Sequence, residues 1–309
     1  MGCNIVDCGS GLRSLGIAGC PALFGRAYKF VFTQYFKADG TVNELSLATS
    51  PTLNSAYFAA LLIQADKPWL PSPEILNYES EREADKFETF NNDTISLFVQ
   101  QGKRTVKGVI AQVPANLSVA LKQWNKTQVG VFIITDKGEL VGMEGSGWMK
   151  LAPIKIELGS FGSVLGVQTN TALNVQKAMI QFNYDVSECD ANLKMIAASS
   201  FDTGYDIKQF NGLVQVDFKA HLVATATTVK VAADTNQGSV YSPILVEGLV
   251  VGDFVLTNLT TGLAVVLSGV TEIAGKYVGT HAAQTTGDDM KLTCTKAGYQ
   301  FAPYLYNAI

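Results

Sequence analysis

The stretches TISLFVQQGKRTVKGVIAQ (residues 94–112) and VGVFIITDKGELVGM (residues 129–143) decide the class of this chain. Each holds two runs rich in β-branched and aromatic residues around a short polar turn. Gln101-Gly102-Lys103 is the turn of the first, and Asp136-Lys137-Gly138 of the second. That pattern signals a β-hairpin. Between them, Asn116 is placed to cap a helix over Asn116–Lys126, in which Leu117, Leu121 and Trp124 share one apolar face. Hairpin, helix, hairpin is not the strand–helix–strand rhythm of a parallel sheet. It predicts a mainly β, antiparallel sandwich or barrel with one packed helix.

Working outward, residues 1–27 are rich in Gly and Cys and read as an irregular arm. Tyr28–Tyr35, Leu151–Leu158 and Asn174–Tyr184 read as strands, and 187–199 as room for a short helix. Pro51, Pro68, Pro71 and Pro73 make 51–78 mostly extended loop, within which Ser55–Ala65 is either a short helix or a buried strand. The charge run 79–88, ESEREADKFE, reads as a solvated face.

The cleanest alternation lies at 214–222, where Val214, Val216, Phe218, Ala220 and Leu222 alternate with Gln215, Asp217, Lys219 and His221. One face of that strand is buried and the other is wet. From about 225 the chain turns Thr-, Val- and Gly-rich, with short runs at Thr227–Ala232, Asp253–Asn258, Leu263–Val270, Lys276–Thr280 and Met290–Thr295. Such spacing describes a second, immunoglobulin-like sandwich. The expected domains are therefore 1–224 and 225–309.

Composition narrows the function. Charged residues are only 16% of the 309 against 47% hydrophobic, so the chain is foldable and its surface is sparsely charged. Subunit contacts are the obvious cover for such a surface. A net charge of −4 leaves no basic excess to neutralise phosphates. No run of 18 apolar residues suggests a membrane span. Ile17-Ala18-Gly19-Cys20 lacks the apolar run a signal peptide needs ahead of it.

Candidate chemistry is sparse. The five cysteines, Cys3, Cys8, Cys20, Cys189 and Cys294, are odd in number and lack paired metal-ligand spacing. They are expected to be reduced thiols. The two histidines, His221 and His281, read as ordinary surface residues, and no nucleophile–base arrangement includes them. Cys8-Gly9-Ser10-Gly11 and Gly145-Ser146-Gly147 lack the lysine of a phosphate loop, and Asp288-Asp289 reads as a polar turn. No catalytic, cofactor-binding or metal residue is expected, and no cofactor. The chain reads as structural, not as an enzyme.

The layout of 79–184 resembles the major tail proteins of tailed bacteriophages, the subunits that stack into the tail tube. The resemblance is carried by the acidic start at Glu79-Ser80-Glu81-Arg82-Glu83, the turn Gln101–Thr105, the Asn116–Lys126 segment, Val131–Asp136 with Gly138, Pro153–Leu158 and Asn174–Tyr184. Residues 225–300, with Gly252-Asp253-Phe254 and the Thr271–Tyr277 hairpin, are similar to the immunoglobulin-like domains that decorate many tail tubes. The resemblance implies two packed antiparallel sheets with a flanking helix, and hexameric rings stacked into a tube. It implies homo-oligomeric contacts, contacts to other tail proteins, and DNA passing through the lumen without specific binding. The location it implies is the virion tail, after synthesis in the bacterial host cytoplasm. The turn around Gly102 and the strand at 214–222 are the expected places for pairing between subunits. Two other readings stay open: another virion or surface component (capsid decoration, baseplate or adhesin), and a carbohydrate-active enzyme.

Overall fold

The computed structural model describes residues 25–63, 69–90, 95–100, 102–111, 124–166, 177–188, 190–235 and 242–309. It is mainly β, built of curled antiparallel sheets in a sandwich or barrel-like arrangement. The chain divides into two compact units, one ending at Gly212 and one running from Leu213 to Ile309. This corrects the expected boundary at 224. The 214–220 strand belongs to the second unit because its backbone partners, 231–234 and 299–301, all lie there.

The first unit holds, in order, β1 (Ala27–Gln34), β2 (Leu45–Ser46), α1 (Ser55–Leu62), β3 (Leu70–Pro71), β4 (Glu79–Arg82), β5 (Lys86–Phe90), β6 (Ile95–Gln100) and β7 (Arg104–Ala111). It continues with β8 (Val129–Thr135), β9 (Leu140–Glu144), β10 (Lys150–Ala152), β11 (Ile154–Lys155), β12 (Gly162–Gly166), β13 (Lys177–Asn183) and β14 (Leu193–Ile196). One sheet runs β2-β10-β9-β8-β1-β3, and a second runs β12-β13-β7-β4.

The first sheet is buried on both faces, which explains why β8 is a continuous apolar run. Toward the second sheet it points Phe30, Phe32, Val131 and Ile133, packed on Val106, Ile110, Ile180 and Phe182. On its other face Val31, Phe132 and Ile134 meet Trp69, Phe58, Phe201 and Phe210. The Trp69 and Phe132 rings stack at 4.5 Å. The second sheet has one wet face, so β13 alternates: Ala178, Ile180 and Phe182 are buried, while Lys177, Met179 and Gln181 are exposed.

Between β8 and β9 the first sheet forks. β10 pairs with β9 and β11 with β8, so residues 150–155 lie in the fork. Gly142 and Gly130 permit this, because a Cβ there would sit 2.4 Å from the Ala152 carbonyl oxygen and 2.7 Å from the Pro153 ring, respectively. Pro153 also splits the expected Leu151–Leu158 strand in two.

α1 is the α-helix of the described residues, and it settles the open reading of 55–65. The Asn54 side chain caps it by accepting from the Tyr57 N–H, and Phe58 and Leu61 turn into the core. The expected 116–126 helix lies outside the described residues except for the single 3₁₀ turn Trp124–Lys126. The expected helix at 187–199 is corrected: β14 runs there, between 3₁₀ turns at 190–192 and 198–200. Near the end of the unit the buried ammonium of Lys29 donates to the carbonyls of Lys208 (2.6 Å) and Phe210 (3.3 Å) and to Asn211 Oδ1 (2.8 Å). These bonds fix the last residues of the unit onto β1.

The second unit holds β15 (Val214–Ala220), β16 (Thr228–Asp234), β17 (Phe254–Asn258), β18 (Leu263–Val265), β19 (Leu267–Ile273), β20 (Lys276–His281), β21 (Asp289–Cys294), β22 (Tyr299–Phe301) and β23 (Tyr304–Asn307). Its sheets run β19-β20-β16-β15-β22 and β18-β17-β21-β23. Taking β15 to β21 and then β23 as A, B, C, C′, D, E, F and G, these are the D-E-B-A and C′-C-F-G orders of an immunoglobulin-like sandwich. Its core packs Val216, Val231, Leu256, Tyr277 and Leu292. Tyr277 also donates its hydroxyl to the Val246 carbonyl, tying the 242–250 loop to the core.

Candidate assembly surface

The 79–103 segment does not fold as its spacing suggests. Among the described residues β6 pairs with β5 and not with β7, so the expected hairpin is corrected. The charge run 79–88 splits instead. β4 pairs with β7, with Arg82 opposite Arg104, while β5 pairs with β6 as a separate two-stranded ribbon. Two strands of an edge pair thus lead into a ribbon that joins neither sheet.

The base of the ribbon is clamped. Two arginines directly across an antiparallel pair repel, and Asp190 offsets that. Arg82 makes a bidentate contact to Asp190 through Nε (3.0 Å) and Nη2 (2.7 Å), and Arg104 Nη2 reaches the same carboxylate. Arg82 Nη1 also donates to the Gly102 carbonyl at 2.8 Å, and the Gly102 N–H donates to Asp85 Oδ1 at 2.8 Å. Gly102 is required here, since a Cβ would lie 1.8 Å from the Glu83 carbonyl oxygen. Burial opposes charge on Asp190, but the hydrogen bonds from Arg82 and Arg104 outweigh it and hold the carboxyl below the usual aspartate range.

Beyond this clamp the ribbon carries apolar side chains in water. Phe87, Leu97 and Val99 are 60%, 55% and 58% exposed. An isolated two-stranded ribbon is marginal in water unless something covers it. Among the described residues neither outer edge pairs with a further strand, so both present backbone donors and acceptors that another strand can use. By contrast, the first sheet ends in β2 and β3, two residues each, too short to template much pairing.

Other expected sites fall differently. In the strand at 214–220, residues 217–220 pair with β16 and 214–216 with β22, so each of its halves already has a backbone partner inside the unit. His221 is exposed, but His281 is a correction: it is 5% exposed, because its side chain turns inward at the end of β20. Cys294 is a free, buried thiol, and burial pushes its pKa up to about 12. Cys3, Cys8, Cys20 and Cys189 lie outside the described residues. Among the described residues no three His, Cys, Asp or Glu side chains converge as metal ligands, and no helix is long and apolar enough to cross a membrane.

One carboxyl is strongly perturbed. Glu188 accepts from the Lys155 backbone N–H, and burial, with Asp185 nearby, raises its pKa to about 7. Lys155 itself pairs with Asp185 at 3.2 Å.

Sequence reasoning missed one exposed residue outright. Trp148 is 91% exposed on the β9–β10 turn, while Trp69 is 2% exposed in the core. The next residue, Met149, adopts φ +58°, a left-handed backbone unusual for a non-glycine residue.

The sequence matches no protein-family model and is not significantly similar to any curated protein.

Proposed function

We propose that this chain is a structural subunit that pairs with copies of itself through the β5–β6 ribbon and the open edges of the β12-β13-β7-β4 sheet. In this reading the copies close into rings, hexameric as the resemblance implies, and the rings stack into the tail tube of a bacteriophage. DNA would pass through the lumen without specific binding, and the role involves no catalytic turnover. The observation that carries this reading is the clamped ribbon: exposed Leu97 and Val99 on a strand pair that joins no other strand among the described residues. An edge strand of one copy would satisfy the backbone of the next and cover Leu97 and Val99. The low charged fraction and negative net charge suit a crowded assembly around a polyanion.

The test is size measurement and negative-stain imaging of the purified chain and of a Leu97→Ser, Val99→Ser double variant. The wild type is expected to form rings or tubes, and the folded double variant to stay monomeric. A chain ending at Gly212 is expected to assemble as well, since the ribbon and both sheets of the first unit precede that point. A wild type that stays monomeric at high concentration, with no rings or tubes in any condition, would refute the proposal.

A further inference from the structure

Trp148 and an apolar cleft sit at opposite ends of β9. The turn 145–149 that carries Trp148 follows β9, and the 136–139 turn precedes it. Beside that second turn, between the two sheets, lies a cleft of about 210 Å³ lined by Ala27, Tyr78, Arg104, Val141, Tyr184 and Leu193 among others. Its walls are mostly apolar, and Arg104 Nε has no hydrogen-bond acceptor among the described residues.

We infer that Trp148 of one copy inserts into this cleft of the next. The inference rests on the stacked-assembly reading and names the contact that would propagate it. Three features support a second copy as the occupant. An aliphatic cavity of about 150 Å³ takes up a benzene-sized ring, so this larger cleft has room for an aromatic side chain. The Arg104 guanidinium can lie against an indole face, an interaction that needs no acceptor lone pair. Knob and hole stand at opposite ends of one strand, so the contact is head-to-tail and does not close on itself in a dimer. It leaves a free Trp148 at one end of a growing stack and a free cleft at the other. Tryptophan is also among the residues enriched at interface hot spots, which sit in well-packed, desolvated pockets.

The experiment compares wild type, Trp148→Ala, Trp148→Phe and Leu193→Trp, the last filling the cleft, by sedimentation and negative-stain imaging. Circular dichroism confirms that each is folded, and Ser80→Trp at the cleft wall replaces Leu193→Trp if that variant unfolds. Trp148→Ala is expected to weaken stacking by about 30-fold or more, leaving single rings, with Trp148→Phe between it and wild type. The cleft-filled variant should show the same loss. Trp148→Ala rings and cleft-filled rings, mixed one to one, should join in pairs and extend no further, since each pair uses the only intact knob and hole. Tubes from Trp148→Ala equal to wild type would overturn this inference and leave the assembly reading standing. A loss with Trp148→Ala but none with the filled cleft would overturn the assignment of the cleft. A wild type that never assembles would overturn both.

Discussion

The β5–β6 ribbon and the C-terminal sandwich are made from similar material, short strands with apolar and polar residues mixed, yet they treat their surfaces oppositely. The sandwich covers one face of each sheet with the other, and of its outer strands β18 and β22 are three residues each and β23 is four. β19 is longer but has an irregular register at Leu267–Gly269, which spoils it as a template. The ribbon has five- and six-residue strands, no further strand on either edge among the described residues, and exposed Leu97 and Val99. Apolar residues in a strand therefore mark a core only where a second layer arrives. Where none arrives within the chain, they mark a surface waiting for one.

The largest effect expected from this comparison comes from the doubly covered sheet. Phe132 is fully buried and stacked on Trp69, so Phe132→Ala should cost about 3–5 kcal/mol in a denaturation titration of the chain. A cost below about 1 kcal/mol would mean that the layer of α1 and the 3₁₀ turns does not pack as described.

Next is the clamp. Asp190→Ala leaves Arg82 and Arg104 facing each other and should destabilise the first unit by about 1–3 kcal/mol while loosening the ribbon, read as faster amide exchange at 86–100. The wild type should also lose stability in acid at this group. The folded carboxyl titrates below the unfolded one, so its stabilisation is present above the unfolded aspartate pKa and disappears as pH falls through the folded value.

A smaller, pH-dependent effect is expected at Glu188. Its pKa is about 7 when folded, against 4.5 for an ordinary glutamate, so the native state holds the proton longer than the unfolded chain does. Stability contributed by the neutral acid is complete below about pH 4.5 and declines as pH rises toward 7. Glu188→Gln should match wild type at pH 4 and exceed it in melting temperature at pH 8; equal melting temperatures at pH 8 would rule out the buried carboxyl.

The smallest stability effect belongs to the exposed side chains of the ribbon. Leu97→Ser with Val99→Ser should change unfolding free energy by no more than about 0.5 kcal/mol per site, the range of exposed positions, even while assembly is lost. A cost of several kcal/mol would show that these side chains are covered within the chain, and the contrast with the sandwich would fail.

Much of the fold could be read from residues alone, because period and turn chemistry are local. Val129–Thr135 and Leu140–Glu144 flank Asp136-Lys137-Gly138 as expected, with Gly138 at φ +78°. The alternation at 214–220 is a strand with Val216 and Phe218 buried. The short strands after 225 follow their Thr- and Val-rich runs closely. What these patterns leave open is pairing. Gln101-Gly102-Lys103 looks like a hairpin turn, but the carbonyl of Glu83 occupies the space beside Gly102 and selects β4, not β6, as the partner of β7.

The candidate surface was legible only in part. Gly102 stood out as a turn residue and 79–88 as charged, but Arg82, Arg104 and Asp190 are 22 and 86 positions apart in turn and meet only through the folded sheet. Trp148 carries no local signal that separates it from Trp69, because exposure depends on what packs nearby. Sequence by itself determined that this is a chain of antiparallel strands in two parts with little charge. Only the tertiary structure decided where the parts divide, which strands found partners, and which apolar residues were left in water. Backbone conformation is set within a few residues, whereas pairing and burial are set by segments far apart in the sequence.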